Sequence, residues 1–159
     1  MKAARGCRYT IFANRKSSPL TGRWRRILII AMKKISILMK DLGMNCYRFQ
    51  IAWSRVCPTG DGEFNEEGLA FYDRFIDALI ERGIEPMICL YHFDMPLAMA
   101  EKYNGFTDRR VMDAFIRYGK KVIDCFGDKV TWWLTFNEQN LYHMPETFLI
   151  SGYMRGDKT

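Results

Sequence analysis

No aspartate or glutamate occurs before Asp41, although the same forty residues hold eleven lysines and arginines; from Asp41 onward 18 acidic residues outnumber 13 basic ones. The formal charge of +6 therefore belongs to the first quarter of the chain and does not describe a basic protein as a whole. An acid-free, arginine-rich leader has the composition of a transit peptide or of a nucleic-acid-binding arm. It lacks the clean amphipathic period that either would use, and neither a nucleic-acid nor a membrane partner is expected. The apolar run Ile27 to Met32, flanked by Arg25, Arg26, Lys33 and Lys34, is far shorter than the ~18 residues of a membrane span. It is also short for a signal-peptide core, and no small-residue cleavage site follows it.

Other absences narrow the chemistry. No CxxC pair exists among Cys7, Cys46, Cys57, Cys89 and Cys125. An odd number of cysteines placed mostly in apolar runs favours buried free thiols over disulfides or zinc ligation, and with them a reducing, cytoplasmic compartment. No GxGxxG follows the first strand-like segment, which removes the fingerprint of a dinucleotide-binding sheet. With only His92 and His143 as histidines, and no second convergent ligand for either, no metal or other cofactor is expected.

What is present becomes locally consistent from about residue 35. Residues 1–35 read as an aberrant basic leader, attributed to out-of-frame or otherwise aberrant translation, and 36–159 as one folded unit. The spacing predicts a helix from Lys34 to Leu42 ending at Gly43, then a strand Asn45 to Trp53 and a loop Pro58 to Gly62. Asn65 is suited to cap a helix whose first turn carries Glu66 and Glu67 against the positive end of the dipole. Leu69, Tyr72, Ile76, Leu79 and Ile80 form its apolar stripe, and Gly83 stops it. Glu85 to Tyr91 reads as a second strand. Thr107 or Asp108 caps a second helix with Val111, Phe115, Val122 and Phe126 inward and Gly127 at its end. Val130 to Phe136 reads as a third strand. Strand, helix, strand, helix, strand at this spacing predicts parallel βαβ units, an α/β fold with about three parallel strands and flanking helices.

Polar residues gather where these strands end, the position at which a (β/α)8 barrel carries its active groups. Arg48 leads to Trp53, Ser54 and Arg55; the second strand runs into His92 and Asp94; the third runs into Asn137 and Glu138. Glu138 follows an aromatic strand that would seat its carboxyl at the rim of a partly desolvated pocket and raise its pKa toward that of a general acid. On its residues alone it is either such an acid or a solvent-facing glutamate. Asn137 is a sugar ligand or a turn residue, and His92 a hydroxyl ligand or a structural histidine. Asp94, before Met95 and Pro96, and His143 are read as structural.

The stretches CYRFQIAWSRVCPTGDGEFNEEGLAFYDRFIDALIERGIEPMICLYHFDMP, KYNGF and FGDKVTWWLTFNEQN resemble the second, third and fourth βα units of glycoside hydrolase family 1, continuously from about Leu38 to Asn140. The resemblance implies a partial (β/α)8 (TIM) barrel and hydrolysis of β-glucosides by retaining double displacement. It implies Glu138 as general acid/base, Arg48 near the nucleophile, and His92 and Asn137 as sugar ligands. Phe93 and Met95 in HFDMP, and Gln139 after the glutamate, resemble the 6-phospho-β-glucosidase branch. The family's nucleophile and phosphate-binding residues come from later strands. The chain is therefore expected to be a fragment, inactive alone and prone to self-association through exposed sheet edges. The competing expectations are a non-catalytic sugar-binding or interaction fragment and, through the leader, nucleic-acid binding with steep salt dependence.

Overall fold

The computed structural model describes residues 31–142 and 150–153. The first helix, α1, runs through 31–41. It ends as a Schellman motif: the Met44 N–H reaches the Met39 carbonyl at 3.0 Å and the Gly43 N–H reaches Lys40 at 2.9 Å. Gly43 takes the left-handed φ of +77° that this reversal requires and that a side chain would oppose. There follow β1 (Cys46–Gln50), the single-turn helix α2 (Trp53–Val56), α3 (Glu66–Ile80), β2 (Glu85–Tyr91), α4 (Leu97–Tyr103), a 3-10 turn Gly105–Thr107, α5 (Arg109–Phe126), β3 (Trp132–Phe136) and a 3-10 turn Gln139–Leu141.

The three strands form one parallel sheet in the order β1-β2-β3. Arg48 lies level with Met87, and Met87 with Trp132. α3 and α5 are the crossovers that parallel neighbours need. Tyr47 and Phe49 of β1 pack against Phe75 of α3, edge-on at 6.1 and 5.1 Å between centroids. Strand alternation therefore turns Cys46, Arg48 and Gln50 to the opposite face. Between sheet and helices lies the main core, centred on Trp53, Tyr72, Ile88, Tyr118, Val122 and Phe126. Gly68 lets the first turn of α3 approach α2 closely, because a Cβ there would stand 2.6 Å from the Arg55 carbonyl oxygen.

Several boundaries move. Trp53, expected to end the first strand, instead opens α2, and Arg55 lies over the Phe71 ring at 4.5 Å. α4 was not expected at all. Ile80 is 44% exposed, off the buried stripe of Leu69, Tyr72, Ile76 and Leu79. Gly127 closes α5 in a right-handed conformation, φ −66°. Val130 belongs to that closing turn, its N–H bonded to the Phe126 carbonyl, and β3 starts two residues later. Cys57, Cys89 and Cys125 are buried free thiols, whereas Cys46 is exposed; Cys7 lies outside the described residues. No helix among those residues is long and apolar enough to cross a membrane.

Asp108 is the cap of α5. Its Oδ1 accepts from the Arg110 N–H at 2.8 Å, and the Arg110 guanidinium binds both carboxylate oxygens at 2.9 and 2.6 Å. These bonds, the guanidinium's first, hold the Asp108 pKa down at about 2. A carboxyl that binds its proton more weakly when folded adds stability above its ordinary pKa near ~4, and that contribution disappears as pH falls through the folded value. Protection of the Arg110 amide from hydrogen exchange is therefore expected to fall between roughly pH 4 and 2. Asp108→Asn should remove that pH dependence; an unaltered acid profile in the variant would contradict it.

Candidate active site

Beyond the carboxyl ends of the strands the backbone bends sharply. Phe93, just after β2, has φ +65°, and Glu138, just after β3, has φ +47° and ψ +44°. A left-handed conformation costs a residue with a Cβ roughly 1–2 kcal/mol. The third such residue among those described, Asn104, caps α4, a place where asparagine commonly adopts it. The other two concentrate strain at one end of the sheet, the pattern of a functional rim.

The sequence-predicted residues meet at that rim in part. Arg48 Nη2 donates to Asn137 Oδ1 at 2.6 Å, a contact between β1 and the turn after β3 that spans 89 positions in sequence. Asn137 is buried, and its N–H donates to the Tyr91 carbonyl at 2.8 Å, so both its backbone and its side chain are fixed. Glu138 follows immediately, its carbonyl accepting from the Leu141 N–H at 2.9 Å. The expected desolvated pocket is not formed around its side chain, which is exposed. β3 is the edge strand of the described sheet, so protein covers one flank of this glutamate only.

His92 is exposed and meets the Phe93 ring edge-on, 4.9 Å between centroids. Asp94 is engaged by Ser54, whose Oγ lies 3.1 Å from each carboxylate oxygen, which gives it the structural role expected. Trp53 belongs to the buried core, and the exposed Arg55 lies over the Phe71 ring of α3. His143 lies outside the described residues. Among those residues no three His, Cys, Asp or Glu side chains converge as a metal site.

Two features of the rim had no sequence signal. Gln50 meets the backbone of His92, and Tyr142 packs against Tyr91 and Phe136 with its hydroxyl buried and without a hydrogen-bond partner among the described residues. Burial, assisted by the neighbouring Cys89 and Glu138, pushes the Tyr142 phenol up to about 12. An unpaired buried hydroxyl costs about 1–3 kcal/mol of desolvation. Tyr142→Phe is therefore expected to raise stability in urea melts by about 1 kcal/mol; a loss of that size would show that the hydroxyl is paired in solution.

Comparison with known proteins settles the family. Residues 32–158 match the family model described as Glycosyl hydrolase family 1. The chain is similar to Beta-glucosidase 25 of Oryza sativa subsp. japonica, 45% identical over 119 residues, covering 75% of this chain and 23% of the relative. It is equally similar to the Aryl-phospho-beta-D-glucosidase BglC of Bacillus subtilis (strain 168), 44% identical over 121 residues, or 76% and 25% of the two chains. Among solved structures it superposes on a rice Os3BGlu6 beta-glucosidase with a TM-score of 0.68 at 42% identity, covering 71% of this chain and 24% of that one. The virulence factor SghA from Agrobacterium tumefaciens gives 0.66 at 41%, covering 69% and 24%. The chain thus spans about a quarter of the length of the curated relatives it matches. The three strands and their crossovers form a section of a (β/α)8 barrel, and the chain belongs to glycosyl hydrolase family 1.

Proposed function

We propose that this chain carries the acid/base side of a retaining β-glucosidase site. The observation that supports it most is the Arg48–Asn137 bond, which assembles two of the expected residues at the carboxyl rim directly beside Glu138. In this reading Glu138 protonates the glycosidic oxygen as a second carboxylate attacks the anomeric carbon. Glu138 then deprotonates the water that releases the sugar, the two carboxyls standing ~5–5.5 Å apart. With Asn137 Oδ1 occupied by the guanidinium, its Nδ2 is the group offered to a sugar hydroxyl. The positive charge of Arg48 favours the ionised nucleophile. His92 supplies a further hydroxyl contact.

The other acid at the rim, Asp94, is committed to Ser54. By the family resemblance the second carboxylate comes from a strand other than the three described, and the 159-residue chain alone is expected to show no turnover. A specific preference for 6-phospho-β-glucosides rests on Phe93, Met95 and Gln139. The near-equal identity to the rice and Bacillus relatives favours neither substrate. Assay of a chromogenic β-glucoside and its 6-phosphate, in a protein completed to a full barrel and alongside Glu138→Gln, tests both parts. Faster turnover of the phosphorylated substrate supports the finer reading, and equal or slower turnover removes it. The three buried free thiols fit the proposed cytoplasmic location.

On the open side of β3, an apolar groove lined by Met112, Phe115, Ile116, Phe136 and Tyr142 faces outward, and Trp132 is 56% exposed. Among the described residues nothing covers this surface or pairs the β3 edge, and such a surface favours association. The isolated chain is expected to elute from size-exclusion columns as concentration-dependent oligomers; a monodisperse monomer at every concentration would contradict this.

A further inference from the structure

The chain segments that follow β1 and β2 are joined at three levels. Deepest is the fully buried Tyr118 of α5, whose hydroxyl donates to the Ile51 carbonyl at 2.5 Å and lies 3.2 Å from the Leu90 carbonyl, touching both strand ends at once. Next is Gln50. With its amide oriented as its partners demand, Nε2 donates to the His92 carbonyl at 3.3 Å and Oε1 accepts from the His92 N–H at 3.2 Å. Outermost is the Ser54 hydroxyl on Asp94. The last two contacts bracket Phe93, the residue held left-handed.

This arrangement has a physical purpose that packing alone does not explain. Strained backbone persists only where its surroundings over-determine it. Phe93 has no Gly-like freedom, so the residues on either side must be held. His92 has left the β-ladder, and one side chain meets both its N–H and its carbonyl. Glutamine is the residue type suited to this, since its amide presents a donor and an acceptor in the spacing of a peptide group.

We propose that Gln50 and the Ser54–Asp94 pair are positioning residues for His92: they hold its backbone, on both sides of the strained Phe93, in the conformation that presents the imidazole to a sugar hydroxyl. The inference rests on the reading of His92 as a sugar ligand. Both contacts act through the loop backbone, so they contribute to binding by preorganisation.

The test uses the full 159-residue chain, 15N-labelled, with hydrogen exchange at the His92 amide and titration with D-glucose as separate readouts. Gln50→Leu and Ser54→Ala should each speed exchange at His92 and weaken glucose binding about threefold to tenfold, the worth of one or two net hydrogen bonds. Ser54→Thr, which keeps the hydroxyl, should match the parent in both. In a His92→Ala background, Gln50→Leu should cost no further affinity. Unchanged His92 exchange in both variants overturns the proposal, as does an undiminished affinity loss in the His92→Ala background. If Gln50→Leu does not fold, Ser54→Ala and Ser54→Thr decide the exchange question alone. Unchanged glucose affinity in His92→Ala would overturn the sugar-ligand reading by itself, while the exchange data still decide whether the clamp exists.

Discussion

In a protein that completes the barrel around this segment, Glu138→Gln should reduce turnover of a β-glucoside with a poor leaving group by about 10²- to 10⁴-fold, the usual worth of a positioned acid/base. Glutamine preserves shape and hydrogen bonding but can neither donate the proton that lets an alkoxide leave nor accept one from water. The loss should appear in kcat more than in KM, because the proton is in flight only in the transition state. Asn137, held through both its backbone and its side chain, leaves the neighbouring turn unaltered in the variant. A Glu138→Gln protein with parental rates would remove this residue from the mechanism.

The second large effect is on stability. Trp53 is completely buried, stacked on Tyr118 and edge-on to Phe115 at 5.5 Å each, with its indole N–H donating to the Gly60 carbonyl at 3.2 Å. Trp53→Ala should cost about 3–5 kcal/mol, as large aromatic truncations in cores do. Native domains have only about 5–15 kcal/mol in all. Most of the folded population should therefore be lost in moderate urea. Trp53→Phe keeps much of the stacking but orphans the Gly60 carbonyl, and should cost about 1–3 kcal/mol. Trp53 also opens the turn that carries Ser54, so its loss should loosen the rim before the sheet. Urea melts followed by far-ultraviolet dichroism measure the first claim; a change under about 1 kcal/mol for Trp53→Ala would show that the site collapses around the cavity.

Periodicity reveals much of this fold because each long element repeats its signal. β2 matches the expected Glu85 to Tyr91. Asn65 and Asp108 cap α3 and α5, each accepting a backbone N–H from two residues on. α4 escaped notice because seven residues give fewer than two full helical turns, too few to show a stripe, and Met95-Pro96 reads as loop. Trp53 escaped because NCYRFQIAW is continuously strand-like. The bend follows from tertiary bonds, the Ala52 N–H to the Tyr72 hydroxyl at 2.8 Å and the Tyr118 hydroxyl to Ile51, which local sequence does not encode.

At the site, candidate residues can be named from the sequence and their partners cannot. Arg48, His92, Asn137 and Glu138 were all named from strand ends and resemblance. That Arg48 binds Asn137, that Ser54 occupies Asp94, and that Gln50 serves the backbone of His92 depend on three-dimensional contacts across 89, 40 and 42 positions, which no spacing rule reaches. The expected desolvation of Glu138 failed for a related reason. An aromatic strand supplies one wall, and a pocket needs facing walls.

The most direct test of Glu138 as proton donor compares two leaving groups in the Glu138→Gln variant of a completed barrel. A 2,4-dinitrophenyl β-glucoside departs without protonation, so formation of the glycosyl-enzyme should stay near the parental rate. An alkyl β-glucoside should lose about 10²-fold or more in the same step. Equal losses on both substrates would contradict the account.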